Sequence, residues 1–127
     1  TAETKFSVER ANKIALEAAK QCGSAYLTEV KDVCDFDDVI DSLKNFDNVL
    51  FAYENEKRNR IKDCDLSGRN IALIIGAEGG FTEDEASNAH KSGAQIVTLG
   101  RRILRAETAS IVASALLLDA LGEFDYD

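Results

Sequence analysis

Residues 70–121 read NIALIIGAEGGFTEDEASNAHKSGAQIVTLGRRILRAETASIVASALLLDAL, and the order of patterns in this stretch decides the fold class. Ile71–Ile75 is a near-continuous aliphatic run, the pattern of a central parallel strand covered on both faces. Gly76-Ala77-Glu78-Gly79-Gly80 follows it. Thr82 with Glu85 three residues later is a capping box, and the helix it opens is expected to end near Ser92, before Gly93. Gln95–Leu99 is the next strand, and Gly100-Arg101-Arg102-Ile103-Leu104-Arg105 leads into a helix over Ala106–Leu121. The apolar residues of that helix (Ile111, Val112, Leu116, Leu117, Leu118 and Leu121) spread around most of its circumference, so it is expected to be buried on several sides, as at a subunit interface. Each glycine-bearing turn leaves a strand and feeds a helix. Ligands of open α/β sheets bind at such turns, so the two turns are expected to face each other around one small molecule.

Upstream, Ser7 can cap a helix reaching Cys22, with Glu9 favoured in its first turn and Gly23 as its stop. Ala25–Val30 reads as a short strand. Asp35 or Asp37 can cap a second helix reaching about Phe46. Asn48–Tyr53 is a strand, and Glu54–Gly68 is a charged loop with at most one short turn of helix. The alternation predicts an α/β fold with a mostly parallel sheet flanked by helices.

A chain of 127 residues fits a single domain. Its net charge of −8 argues against a surface covered in phosphate-binding groups. Two basic clusters nevertheless stand out: Lys57-Arg58-Asn59-Arg60-Ile61-Lys62, and Arg101, Arg102 and Arg105. Cys22, Cys34 and Cys64 are odd in number, widely spaced and without a CxxC, which argues against a disulfide framework or a zinc site. Free thiols suit the cytoplasm. Residues 1–17 carry no basic start followed by an apolar run. The run Ala115–Leu118 is far short of the roughly 20 residues a membrane helix requires, so no membrane partner is expected.

The glycines of Gly76–Gly80 permit close approach of a ligand to the backbone, and a helix N-terminus follows. The segment is neither a Walker A loop nor a GxGxxG fingerprint, and alone it reads as an ordinary strand-to-helix turn. Leu99–Arg105 is more informative. Its arginines read either as a solvated loop or as a cofactor wall that leaves charge for an anionic substrate. Glu78 reads equally as a residue orienting the loop and as a carboxylate favoured by the following helix. Lys57–Lys62 reads as a solvated loop, with nucleic-acid phosphate as the sharper alternative. His90, in the last turn of a polar helix, reads as a surface residue.

The segments IIGAEGGFTEDE and TLGRRILRAETA resemble the two signature motifs of the methyltransferases that modify N3 of a uridine in small-subunit ribosomal RNA. Glu9–Gly23 is similar to a helix of the same family, and the resemblance covers essentially the whole chain. Those enzymes belong to the SPOUT superfamily, so the resemblance implies a C-terminal trefoil knot threaded by the last helix, an obligate homodimer, and S-adenosylmethionine bent between three loops. Carried over by motif, those loops are Phe51, Ala52 and Tyr53; Gly76, Ala77, Glu78, Gly79 and Gly80; and Leu99, Gly100, Ile103 and Leu104. Backbone groups of Gly76, Leu99, Gly100 and Leu104 would hold adenine and ribose, and Arg102 and Arg105 would stabilise charge developing on the base. The family has proline at the positions of Ala77 and Thr28 and arginine at that of Ser24. Its methyltransferase domain begins further upstream, after a β-barrel RNA-binding domain, so residues 1–127 are expected to form one SPOUT-type domain without those parts. Two other readings stay open: a non-catalytic dimeric module of the same fold, and an α/β nucleotide-binding domain unrelated to methylation.

Overall fold

The structure of the protein is a computed structural model that describes residues 7–22, 28–77, 79–102 and 104–126. It divides into two compact units, Thr1–Phe36 and Asp37–Asp127. In the first, helix α1 spans Val8–Cys22. Ser7 Oγ accepts the Arg10 N–H at 3.1 Å, satisfying one of the donors that a helix start leaves open. Of the expected strand over Ala25–Val30, residues 25–27 lie outside the described residues, and Thr28–Val30 is not a strand. The Asn12 amide explains the difference. Its Oδ1 accepts the Val30 N–H at 2.7 Å and its Nδ2 donates to the Val30 carbonyl at 2.9 Å, so side-chain bonds take the groups a ladder would use.

Helix α2 spans Phe36–Ser42 and tightens into a 3-10 turn at Leu43–Asn45, short of Phe46. The second unit continues with β1 (Asn48–Ala52), a 3-10 turn at Ile61–Asp63, β2 (Ile71–Ile74), α3 (Glu83–Lys91), β3 (Gln95–Val97) and α4 (Ala106–Ala120). The capping box forms as expected. Thr82 Oγ1 accepts the Glu85 N–H at 3.1 Å, and Glu85 Oε1 accepts the Thr82 N–H at 2.8 Å.

The sheet is parallel throughout, in the order β2-β1-β3. This corrects the expected position of Ile71–Ile75. The aliphatic run forms an edge among the described strands, and β1 is central. The reason is register and crossover: Leu50 pairs with both Leu73 and Gln95, because the chain passes from β2 through α3 to β3 on the far side of β1. Val49, Leu50 and Phe51 are buried in consequence, while every residue of β2 is half-buried. Side chains alternate across the sheet. On one face Leu50 and Val97 pack with Ile61 and with Ala113 of α4, joined by Leu73, Ile75 and Leu117. On the other, the Phe51 ring meets Phe81.

Helix α4 is buried within this chain along one side only. Within this chain its buried residues are Ala109 and Ala113, while Ile111 is 72% exposed and Leu116, Leu118 and Leu121 are exposed as well. Small residues let α4 approach the sheet closely with Leu117 beside them, while Ile111, Leu116, Leu118 and Leu121 face outward. No helix among the described residues is long and apolar enough to cross a membrane.

Candidate active site

Parallel strands deliver the turns that leave them to a single edge of the sheet. Tyr53 and Glu54 follow β1, residues 75–80 follow β2, and residues 98–102 follow β3. Residues of these turns line one cleft, of about 630 Å³ with its solvent-open part included. The two glycine-bearing turns therefore do face each other, with the end of β1 as a third wall.

Local bonds hold each wall. The Tyr53 N–H donates to the Val97 carbonyl at 2.9 Å, which extends strand pairing to the rim. In the first glycine turn the Gly80 N–H donates to the Ala77 carbonyl at 2.8 Å. Gly80 has φ +69°, where a side chain is strained, and its open side meets the Glu54 carboxyl group. A Cβ on Gly76 would stand 3.1 Å from the Phe81 ring, so this glycine makes room for the aromatic. In the second turn Thr98 Oγ1 accepts the Gly100 N–H at 3.1 Å, and Gly100 has φ +115°.

Of the residues singled out from sequence, Ala52, Tyr53, Gly76, Ala77, Gly80, Leu99, Gly100, Leu104 and Arg102 line the cleft. Phe51 is a correction: it is 0% exposed, because its position in the central strand turns the ring onto Phe81 beneath the cleft. Gly79 is exposed and outside the lining. Glu78 and Ile103 lie outside the described residues. Arg105 also stands outside the lining. It occupies the N-cap position of α4, and its carbonyl accepts the Ala109 N–H at 2.7 Å. His90 is exposed on α3. No group of three or more metal-ligating side chains gathers among the described residues.

Sequence reasoning missed Glu54, Phe81 and Ala109, all of which line the cleft, while Arg101 was marked only as one of a basic cluster. Phe81 carried a readable signal, an aromatic between a glycine pair and a helix cap. Ala106 and Ala109 carried a weaker one, small residues one turn apart at the start of a bulky helix. Glu54 had none, because its role follows from being the first residue past Tyr53 at the sheet edge. Among the described residues it is the one carboxylate in the lining, set against Arg101 and Arg102.

The charged loop after β1 is held more firmly than a solvated loop would be. Glu56 accepts the backbone N–H groups of Asn59 at 2.8 Å and Arg58 at 3.0 Å, and these bonds hold its carboxyl below the ordinary glutamate range. The Asn59 Nδ2 donates to the Ile96 carbonyl at 2.8 Å, and the Thr98 N–H donates to the Asn59 carbonyl at 2.8 Å. Ile61, 2% exposed, anchors the loop in the core. The Arg60 guanidinium, 3.1 Å away, lowers the Asp63 carboxyl. Partial burial pushes the Cys64 thiol up, against a hydrogen bond from Asn59.

Comparison with known proteins places this arrangement. The family described as the RNA methyltransferase domain matches residues 1–118, across both compact units. The ribosomal RNA small subunit methyltransferase E of Mesomycoplasma hyopneumoniae is 37% identical over 105 residues, covering 82% of this chain and 45% of the relative. Its counterpart in Rickettsia conorii is 36% identical over 114 residues, covering 86% and 46%. Among solved structures, the ribosomal RNA small subunit methyltransferase E of Neisseria gonorrhoeae bound to S-adenosyl methionine superposes with a TM-score of 0.79 at 27% identity, over 99% of this chain and 54% of that one. The chain thus spans about half the length of the curated relatives it matches. With the match over residues 1–118 and the same α/β fold in a solved relative, the chain belongs to the RNA methyltransferase domain family.

Proposed function

We propose that the cleft binds S-adenosylmethionine and that the protein methylates N3 of a uridine in small-subunit ribosomal RNA. The observation that carries this reading is the convergence of three strand-end turns, two of them bearing the motif residues, on one cleft. A solved relative of the same fold is bound to S-adenosyl methionine.

The cleft fits such a ligand. Gly76, Gly80 and Gly100 keep side chains out of its throat, Leu99 and Leu104 offer apolar surface to an adenine, and the backbone groups of Gly76, Leu99, Gly100 and Leu104 would hold adenine and ribose, Gly100 through its carbonyl because its N–H already donates to Thr98 Oγ1. Bound there, the cofactor supplies an electrophilic methyl group on a cationic sulfur. The chain's own contribution is placement, since alignment of two reactants can supply much of an acceleration. N3 of uridine is a poor nucleophile while protonated. Arg102, on the cleft wall, stabilises the negative charge that develops on the base. Arginine keeps its proton in proteins, so it acts here as a cation and not as a base.

The same reading makes residues 1–127 part of one SPOUT-type methyltransferase domain working in the cytoplasm, with α4 threading a trefoil knot. It also accounts for the outward-facing Ile111, Leu118 and Leu121, which a homodimer would cover. Titration calorimetry of this chain with S-adenosylmethionine tests the cofactor reading, with saturable one-site binding expected. Transfer of a labelled methyl group to deproteinised small-subunit rRNA, mapped to N3 of a single uridine, tests the reaction. Binding without transfer would favour the non-catalytic module, and absence of binding would remove the methyltransferase reading of this cleft.

A further inference from the structure

The two basic clusters lie about forty residues apart in sequence, and the fold brings the first beside Arg101 of the second. Lys57, Arg58, Arg60 and Lys62 line a second groove, of about 1710 Å³ with its solvent-open part included, and Arg101 lines it as well. The parallel bridge between Arg60 and Thr98 causes the meeting, because it lays the loop after β1 beside the turn after β3. The groove holds five basic side chains against the carboxylates of Glu54, Glu56 and Asp119, in a chain whose net charge is −8. The Glu56 carboxylate is already engaged by two backbone N–H groups. Among the described residues the one ion pair is Arg60 with Asp63, so Lys57, Arg58 and Lys62 form none. These cations stand on a loop pinned by Ile61, Asn59 and Glu56, which limits the ordering cost of binding.

The groove is continuous with the cofactor cleft: Glu54, Thr98, Leu99, Gly100 and Arg101 line both. We propose that this groove binds the phosphodiester backbone of single-stranded RNA and leads the strand to the mouth of the cofactor cleft. The proposal deepens the methyltransferase reading and rests on it for the destination of the strand. A flexible polyanion suits the groove because five cations line it and because part of its lining is shared with the cleft where a base would be modified. Contacts of this kind set register and affinity without reading sequence.

The test measures binding of an oligouridylate of about fifteen nucleotides to the full chain across a salt series, by fluorescence anisotropy. Each phosphate neutralised on a single strand contributes about 0.7 to the slope of log affinity against log salt. The triple variant Lys57→Gln, Arg58→Gln, Lys62→Gln should therefore lower that slope by about 2 and weaken binding at least tenfold, with unchanged calorimetric affinity for S-adenosylmethionine. The control triple Lys44→Gln, Arg69→Gln, Lys91→Gln removes equal charge outside the groove and should leave the slope as it is. Equal loss in both triples would overturn the proposal, because it would make the effect one of net charge. An unchanged slope in the groove triple would overturn it while leaving cofactor binding, and with it the methyltransferase reading, intact. Equal affinity and slope for poly-L-glutamate would overturn it in favour of an acidic protein partner.

Discussion

The ring of Phe81 lies against the ring of Phe51, with centroids 4.1 Å apart and planes inclined by 33°. This contact ties the glycine turn after β2 to the central strand, and it sets the floor on which the cleft is built. Phe51 is held by the core, and Phe81 reaches the cleft wall.

Loss of the Phe81 ring should therefore cost both stability and ligand affinity. Full burial of a phenylalanine is worth about 3–5 kcal/mol on truncation, and Phe81 is only half-buried, so Phe81→Ala is expected to cost about 2 kcal/mol in urea unfolding. Gly76→Ala should act on the same contact from the other side, since its Cβ would stand 3.1 Å from the ring. It is expected to weaken S-adenosylmethionine at least tenfold with a small loss of stability. Combining Gly76→Ala with Phe81→Leu should restore part of that affinity; strict additivity of the two changes would contradict the steric account.

Gly68 offers a purely structural contrast. An added Cβ would collide with the Asp47 side chain and stand 2.7 Å from Asn48 Oδ1. The same oxygen accepts the Gly68 N–H, and Asn48 is 8% exposed. Asp47 in turn accepts the N–H groups of Arg69 and Asn70. Gly68→Ala should destabilise the protein by about 1–3 kcal/mol, as overpacking does. Gly79→Ala, with nothing within 4 Å of the new methyl, should be close to neutral. Thermal melts of the two variants decide the point.

Arg102 and Arg105 should separate in function, because Arg102 lines the cleft and Arg105 does not. Given the proposed reaction, Arg102→Ala is expected to lower turnover by about 10²-fold, the scale of losing one charge-stabilising donor, with S-adenosylmethionine affinity changed less than threefold. Arg105→Ala should lower turnover less. Single-turnover methylation beside calorimetry measures both quantities. Equal loss of binding and turnover in Arg102→Ala would contradict its assignment to the transition state.

Glu56 should carry part of the acid sensitivity of the groove. Its folded carboxyl is held below the ordinary value of 4.5 by the N–H groups of Asn59 and Arg58. The carboxylate therefore contributes stability that is complete above that value and is lost as pH falls through the lower folded one. The difference in melting temperature between the wild type and Glu56→Gln should be largest near neutrality and vanish in acid. A difference that stays constant down to about pH 2, below the ordinary range of carboxyl groups, would remove this role.

Much of the local architecture was legible because its causes are local. Ser7 and Thr82 cap helices through atoms three residues away, and the aliphatic runs become strands. Most of the residues carried over by motif resemblance also line the cleft. The Ala25–Val30 expectation failed at Val30 because a side chain on a helix eighteen residues earlier took its backbone groups.

The sequence by itself determined most of the elements, the capping of α1 and α3, the glycines that keep the cleft open, and the family to which the motifs belong. Only the tertiary structure decided that Asn48–Ala52 and not the aliphatic run is central, that Phe51 lies under the cleft and not in it, and that Lys57–Lys62 meets Arg101. Propensity and capping act within a few residues of sequence. Strand order and groove lining depend on which distant segments share one edge of a parallel sheet, and that is set by the crossover through α3 and the bridge from Arg60 to Thr98.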